Sequence, residues 1–192
     1  LNFMNESSMD ISTSLISKET EVSSSFESQH PIKEDIVSHI ISSIITNLKE
    51  LIEYNESAGN NKYSHRDPFC ITNIPSISLK DYIIRIYKLT KMDISSLIIA
   101  IIYIDRFCDR YKYSLNMYNI FKVFLATCSL SIKYNEDIFV NTKTYAEISG
   151  IPVNVLIELE DKMFFYLDYN FYVNDDLYQQ YFEFFSKKNN KK

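Results

Sequence analysis

A chain of 192 residues, 46% hydrophobic and 23% charged, has room for one domain, or one domain and a tail, and is too apolar to be wholly disordered. Its 2 Gly and 4 Pro are too few for a turn-rich β-sandwich or barrel, and Gly59 and Gly150 stand too far apart for any glycine-rich phosphate loop. The formal charge of −5 disfavours nonspecific attachment to nucleic acid or to an acidic membrane surface.

Residues 1–30 hold nine Ser and scattered acids without apolar periodicity, and read as a flexible arm. They show no basic-then-apolar leader of the kind that directs secretion. Pro31 suits the first turn of a helix. Val37, Ile41, Ile44, Leu48 and Leu51 then recur at spacings of three and four, widened by Ile36, Ile40, Ile45 and Ile52. This predicts an amphipathic helix within 31–56 that runs to near Tyr54. The polar stretch 57–76, broken by Gly59, Pro68 and Pro75, predicts a loop.

From there the pattern is helix after helix. Ser78 is placed to cap residues 79–89, and Asp93 to cap 94–111. Within the latter, Leu97 to Ile104 is apolar on nearly every face, so this helix is expected at the centre. It is the longest apolar run and falls far short of the roughly 20 residues that cross a bilayer. Ser114 or Asn116 opens the next helix, which carries Phe121, Phe124, Leu125 and Cys128 and ends near Lys133. Thr142 or Lys143 opens a short helix that Gly150 closes in a left-handed conformation. Pro152 starts the run 153–167, and Asn174 caps the last helix with Asp175 and Asp176 at its positive end. The one strand-like stretch, Tyr169 to Val173, is too short and isolated for a sheet. The predicted fold is all-α: five helices within 77–173, one flanking helix on each side, and a basic KKNNKK tail closing the segment 174–192.

Few residues carry an obvious chemistry. Cys70, Cys108 and Cys128 form no CxxC, and His30, His39 and His65 form no HExxH. The expectation is buried thiols in a reducing compartment, with no metal and no cofactor. Lys outnumbers Arg 16 to 4 and Ile reaches 27, a bias that AT-rich codons produce, so single Lys or Asn residues weigh little by themselves. Asp105 stands out because it lies in the most apolar helix, where a bare charge is costly. Arg85 in the preceding helix, or the adjacent Arg106, is the expected partner in a structural ion pair. Catalysis would need a second titratable group converging on a pocket, and no candidate appears.

The ordered set IPSISLKDYIIRIYKLTK at 74–91, YIDRF at 103–107, IKYNED at 132–137, YAEISGIP at 145–152 and LEDKMFFYLD at 159–168 resembles the cyclin box. The likeness is greatest to the single-box P/U-type cyclins of the phosphate pathway and spans roughly residues 68–172. The resemblance implies a regulatory subunit, not an enzyme, that binds and activates a cyclin-dependent Ser/Thr kinase inside the cell, in cytoplasm or nucleus. It implies no role for nucleic acid, membrane or a small-molecule substrate. The family's kinase contact, a Lys ending the third box helix and a Glu in the fifth, falls on Lys133 and Glu160. Leu130 is three residues before Lys133 and Phe164 four after Glu160, so each shares a face with its charged neighbour. Tyr169 and Phe171 follow just beyond, completing the expected apolar rim. Glu136 and Asp137 read either as solvated loop charges or as acids that face the kinase and pair with arginines that otherwise hold a phosphorylated activation loop. Both Lys133 and Glu160 are expected to be at least partly exposed in the free chain. The sequence lacks the MRxIL-type docking patch and the RxxL destruction box found in some cyclins. A transcription-machinery adaptor of the same fold is the alternative, against which stand the single box and the acidic charge.

Overall fold

The eight residues from Leu97 to Ile104 are buried on every side, as their uninterrupted apolarity demands. They lie in the third of seven helices in the computed structural model, which describes residues 34–60, 64–137 and 140–187. The helices are α1 (Glu34–Ser57), α2 (Leu79–Thr90), α3 (Ile94–Tyr111), α4 (Ile120–Asn135), α5 (Thr142–Ser149), α6 (Val153–Tyr166) and α7 (Asp175–Ser186). The fold is all-α, with no strand among the described residues. The Ser-rich arm 1–30, the helix start at Pro31 and the basic tail beyond Lys187 lie outside them.

Helix α3 packs chiefly on α4, and α4 in turn on α6, while α5 bridges α2 and α6. The two flanking helices pack on each other, with α7 also lying on α3 and α1 on α2. The predicted stripe of α1 is thereby covered within the chain. Ile40, Ile44, Ile45, Leu48 and Ile52 are buried, Val37, Ile41 and Leu51 half-buried, and Ile36 faces outward. The connection 64–77 is held by Lys122 of α4, whose Nζ donates to the carbonyls of Pro68 and Cys70 at 2.9 and 3.0 Å.

The termini follow the predicted chemistry with two exceptions. The Asp81 N–H donates to the Ser78 Oγ at 3.1 Å, and the Leu177 N–H to the Asn174 side chain at 2.8 Å. Gly150 adopts φ +76° and closes α5. Asp93 occupies the N-cap position of α3, but its side chain makes no capping bond. Helix α4 begins after Asn119 rather than at Ser114 or Asn116. Those residues are spent on a turn in which the Asn116 N–H donates to the Asn119 side chain at 2.9 Å and the Tyr118 N–H to the Asn116 side chain at 2.9 Å.

The expected Asp105–Arg85 pair is corrected by this packing. Arg85 lies on the side of α2 that meets α5, and its Nε donates to the Ile148 carbonyl at 2.9 Å. Asp105 is buried on the side of α3 that meets α7, where it accepts a hydrogen bond from the Tyr181 hydroxyl. Arg106 turns to the backbone carbonyls of Asn170 and Tyr172.

Candidate partner-binding site

The packing of α4 on α6 brings together two charged residues far apart in sequence. Lys133 stands in the last turn of α4, the negative end of that helix dipole, which favours a cation. Glu160 stands in the middle of α6. The Lys133 Nζ lies 2.7 Å from both Glu160 oxygens and donates further to the Thr142 Oγ1 at 3.3 Å. The Ser129 hydroxyl, one turn before Lys133 on α4, also donates to Glu160. All three ammonium donors are therefore engaged within the chain. The 3.3 Å bond to Thr142 is the longest and the one an incoming carbonyl acceptor displaces at least cost.

Exposure is uneven across the pair. The Lys133 side chain is 26% exposed, and that of Glu160 only 8%. The expectation that both are open to a partner holds for Lys133 and is corrected for Glu160. In the α4–α6 seam the Glu160 Oε1 is shared by Ser129 and Lys133, one turn apart on α4, and its Oε2 is taken by Lys133. Behind them lies Tyr145, buried, its phenol held well above the ordinary range by burial first and then by the Cys128, Tyr82, Glu160 and Glu136 groups around it. The pair thus sits at the rim of a low-dielectric interior, where each polar contact is stronger than in water.

Beside the pair is a platform of aromatic rings. Tyr134 and Phe171 stack face to face, with centroids 4.2 Å apart and planes 6° from parallel. Phe164 sets its edge against both, at 5.6 Å from Tyr134 and 4.8 Å from Phe171, and Tyr169 lies 6.1 Å beyond it. Tyr134 is 50% exposed and Tyr169 68%, whereas Phe171 is nearly covered and Phe164 half-buried. Phe164, Tyr169 and Phe171 are thus brought together as the sequence predicts. Leu130 is not among them. It is fully buried, pointing into the core that α4 shares with its neighbours, and offers no surface to a partner. Tyr134 is the ring that sequence reading missed. Its signal was its place immediately after Lys133 in the final turn, where an aromatic has no further helix to cover it. Ile157, three residues before Glu160 and 46% exposed, was missed as well.

The acidic pair Glu136 and Asp137 divides. Glu136 turns back into the molecule, where its Oε1 accepts the backbone N–H of Asp93, the N-cap residue of α3, at 3.0 Å. Asp137 stays exposed. Among the described residues no group of His, Cys, Asp and Glu is arranged to hold a metal ion, and no helix is long and apolar enough to cross a membrane.

An all-α unit with a Lys–Glu pair at the seam of two neighbouring helices and aromatics at its rim matches the sequence resemblance, and the family comparison decides it. The family profile described as Cyclin matches residues 5–171. The chain belongs to the cyclin family. Cyclin-U2-1 of Arabidopsis thaliana is 27% identical over 114 residues, 59% of this chain and 51% of the relative. The PHO85 cyclin-like protein psl1 of Schizosaccharomyces pombe is 30% identical over 115 residues, 59% of this chain and 47% of the relative. Cyclin-U4-3 of Arabidopsis thaliana is 26% identical over 156 residues, 80% of this chain and 69% of the relative. These relatives are of the P/U type. In the first two the chain spans about half the length of the curated relative it matches. In this cyclin the α4–α6 seam, with its ion pair and aromatic platform, is the candidate site.

Proposed function

We propose that this cyclin is a regulatory subunit that binds a cyclin-dependent Ser/Thr kinase through the α4–α6 seam and activates it without contributing a catalytic group. The observation that carries the reading is the aromatic platform. Two large rings, Tyr134 and Tyr169, stand half or more exposed beside a partly open Lys–Glu pair. Exposed aromatics next to a desolvated charge are the elements from which binding hot spots are made. The family membership and the likeness to a protein named as PHO85 cyclin-like support a kinase as the partner.

A kinase helix laid along the seam buries Tyr134, Phe164, Tyr169 and Ile157 against its apolar face. The free end of that helix leaves carbonyls without intrahelical partners, and Lys133 offers a donor to them once Thr142 is displaced. Glu160, itself held by the Ser129 hydroxyl, keeps the ammonium in place while it changes acceptor. Glu160 accordingly acts from beneath, and Lys133 makes the contact. Asp137 is the acid left free to meet kinase arginines.

The experiment mixes the full chain with purified cyclin-dependent kinases, PHO85-type kinases included, and measures complex formation and substrate phosphorylation. At least one kinase is expected to gain activity. The double variant Tyr134→Ala/Tyr169→Ala is expected to weaken that complex by about 1–3 kcal/mol, roughly five- to 150-fold, while the melting temperature falls by only a few degrees as the Tyr134–Phe171 stack is lost. Activation of none of the kinases, or full activation by the double variant, overturns the reading.

A further inference from the structure

Helix α3 carries Tyr103, Arg106 and Arg110 at spacings of three and four, a single stripe on one face. All three reach the segment that leaves α6. The Tyr103 hydroxyl donates to the Phe171 carbonyl at 2.8 Å. Arg106 donates through Nη1 to the Asn170 carbonyl at 3.2 Å and through Nη2 to the Tyr172 carbonyl at 2.9 Å. Arg110 pairs with Asp168 at 3.2 Å. The three successive carbonyls of residues 170, 171 and 172 are therefore each bonded to an α3 side chain.

The segment needs such holding. Asp168 and Tyr169 have φ of 56° and 55°, two consecutive non-glycine residues in the left-handed region. That conformation costs free energy and persists only where the surroundings fix it. It reverses the chain so that Phe171 returns beneath Tyr134 while Tyr169 stays exposed. The turn has backbone bonds of its own, from the Tyr169 N–H to the Phe164 carbonyl at 3.1 Å and from the Asn170 N–H to the Leu167 carbonyl at 3.0 Å. These close the turn but leave the carbonyls of 170–172 to α3.

We propose that Arg106 is a positioning residue for the partner-binding face: its guanidinium clamps residues 170–172 and so presets Tyr169 and Phe171 for a kinase it does not itself touch. The inference rests on the kinase-binding reading above and deepens it. Arg106 is singled out because the two ends of its planar fork donate to carbonyls two residues apart, at 3.2 and 2.9 Å, and so span the segment. The Arg110–Asp168 pair is solvent-exposed on both sides, 51% and 65%, and contributes little. Tyr103 is fully buried and also packs edge-on against Phe171, so its removal disturbs the core directly. Holding the rim in its bound form before the partner arrives lowers the ordering cost of association.

The test compares Arg106→Met, Arg106→Lys and Lys133→Glu, each in the 192-residue chain, with the parent chain. It reads amide hydrogen exchange at Tyr169 and Asn170, melting temperature, and affinity for whichever purified cyclin-dependent kinase the parent chain activates. Arg106→Met is expected to raise exchange at the two amides and to weaken kinase binding, each by roughly ten-fold or more, while α3 and α4 amides stay protected. Arg106→Lys, which keeps the charge and one bond, is expected to fall between. Lys133→Glu is expected to lose binding while exchange at Tyr169 and Asn170 stays at the parent value. If Lys133→Glu loses binding and both Arg106 variants bind like the parent, the clamp is refuted and the kinase reading stands. If exchange rises equally throughout α3 and α4, Arg106 is a general stabiliser and the positioning role is refuted. If the parent chain activates no kinase, both fall together.

Discussion

Asp105 and Glu160 are equally buried, each 6% exposed, and each is held by a residue from a different helix. What answers them differs. Asp105 accepts from the phenol of Tyr181, which is itself interior at 4% exposure. That phenol is pushed well above its ordinary range, by burial first and then by the Asp105 charge and hydrogen bond, so it remains a donor at any physiological pH. Glu160 is answered by the ammonium of Lys133, whose side chain still reaches solvent. A neutral donor inside the molecule closes a site, whereas a cation at the edge leaves one contact exchangeable. The first carboxylate docks α7 on α3, and the second lies under the proposed partner face. Burial of a carboxylate does not by itself separate structure from function; the accessibility of its counterpart does.

The largest expected effect comes from reversing the buried member of the open pair. Glu160→Lys places a second ammonium beside Lys133 in a seam that excludes water. Removing one partner of a buried pair in this way is expected to cost about 3–5 kcal/mol. For a chain of this size that lowers the melting temperature by roughly 6–20 °C. Lys133→Glu puts its new charge at the partly exposed position, so thermal unfolding should show a smaller loss. If the two reversals melt alike, or both melt with the parent chain, the asymmetry between Glu160 and Lys133 is not real.

That asymmetry marks the boundary of what the sequence makes legible. The α3 core follows from an unbroken apolar run, and the Ser78, Asn174 and Gly150 termini from local chemistry, because each is decided within a few residues. The meeting of Lys133 with Glu160 depends on how α4 packs on α6. It was reached only through resemblance to a family, and even then the burial of Glu160 was not foreseen. Arg85 and Asp105 failed for the same reason. Either helix has several faces, and composition does not say that α3 turns Asp105 toward α7 while α2 turns Arg85 toward α5. The aromatic rim was partly legible, since Tyr169 and Phe171 leave a helix together. Leu130 went the other way, because a residue sharing a face with Lys133 can still lie on the inner edge of that face.

An intermediate effect sharpens the closed half of the comparison. Tyr181→Phe removes the donor to Asp105 without changing shape, and is expected to cost about 1–3 kcal/mol near neutral pH. Kinase binding is expected to be unchanged, because α7 lies away from the α4–α6 seam. The cost also has a pH signature. In the folded chain the Tyr181 proton is held above the ordinary value of 10.0, so the unfolded chain releases it first. The parent's contribution is complete below about pH 10 and declines as the pH rises beyond it, by up to about 1.4 kcal/mol per pH unit for one group. Phenylalanine has no proton to release. Denaturant titrations between pH 7 and 11 should therefore find the gap between parent and variant narrowing above pH 10. A gap that stays constant or widens shows that Tyr181 does not stay neutral against Asp105.

The smallest effect concerns the acids that follow Lys133, which repeat the contrast between closed and open on one short segment. Glu136 is half-buried and bonded to the backbone N–H of Asp93, the N-cap residue of α3, at the positive end of that helix. Asp137, the next residue, is exposed. Glu136→Gln keeps the size and one acceptor but loses the charge facing the dipole, and is expected to lower stability by about 0.3–1 kcal/mol. Asp137→Asn is expected to leave stability within about 0.5 kcal/mol of the parent, as surface substitutions do. On kinase association the order should invert. Asp137→Asn removes the exposed charge and is expected to slow association and weaken its dependence on salt, whereas Glu136→Gln leaves both as they were. Stopped-flow association at low and high ionic strength, set beside the two melting curves, reads all six quantities. If Glu136→Gln alters the salt dependence as much as Asp137→Asn does, the Glu136 carboxylate swings outward to meet the partner. In that case the distinction between a closed and an open acid fails at this segment, even though it holds for Asp105 and Glu160.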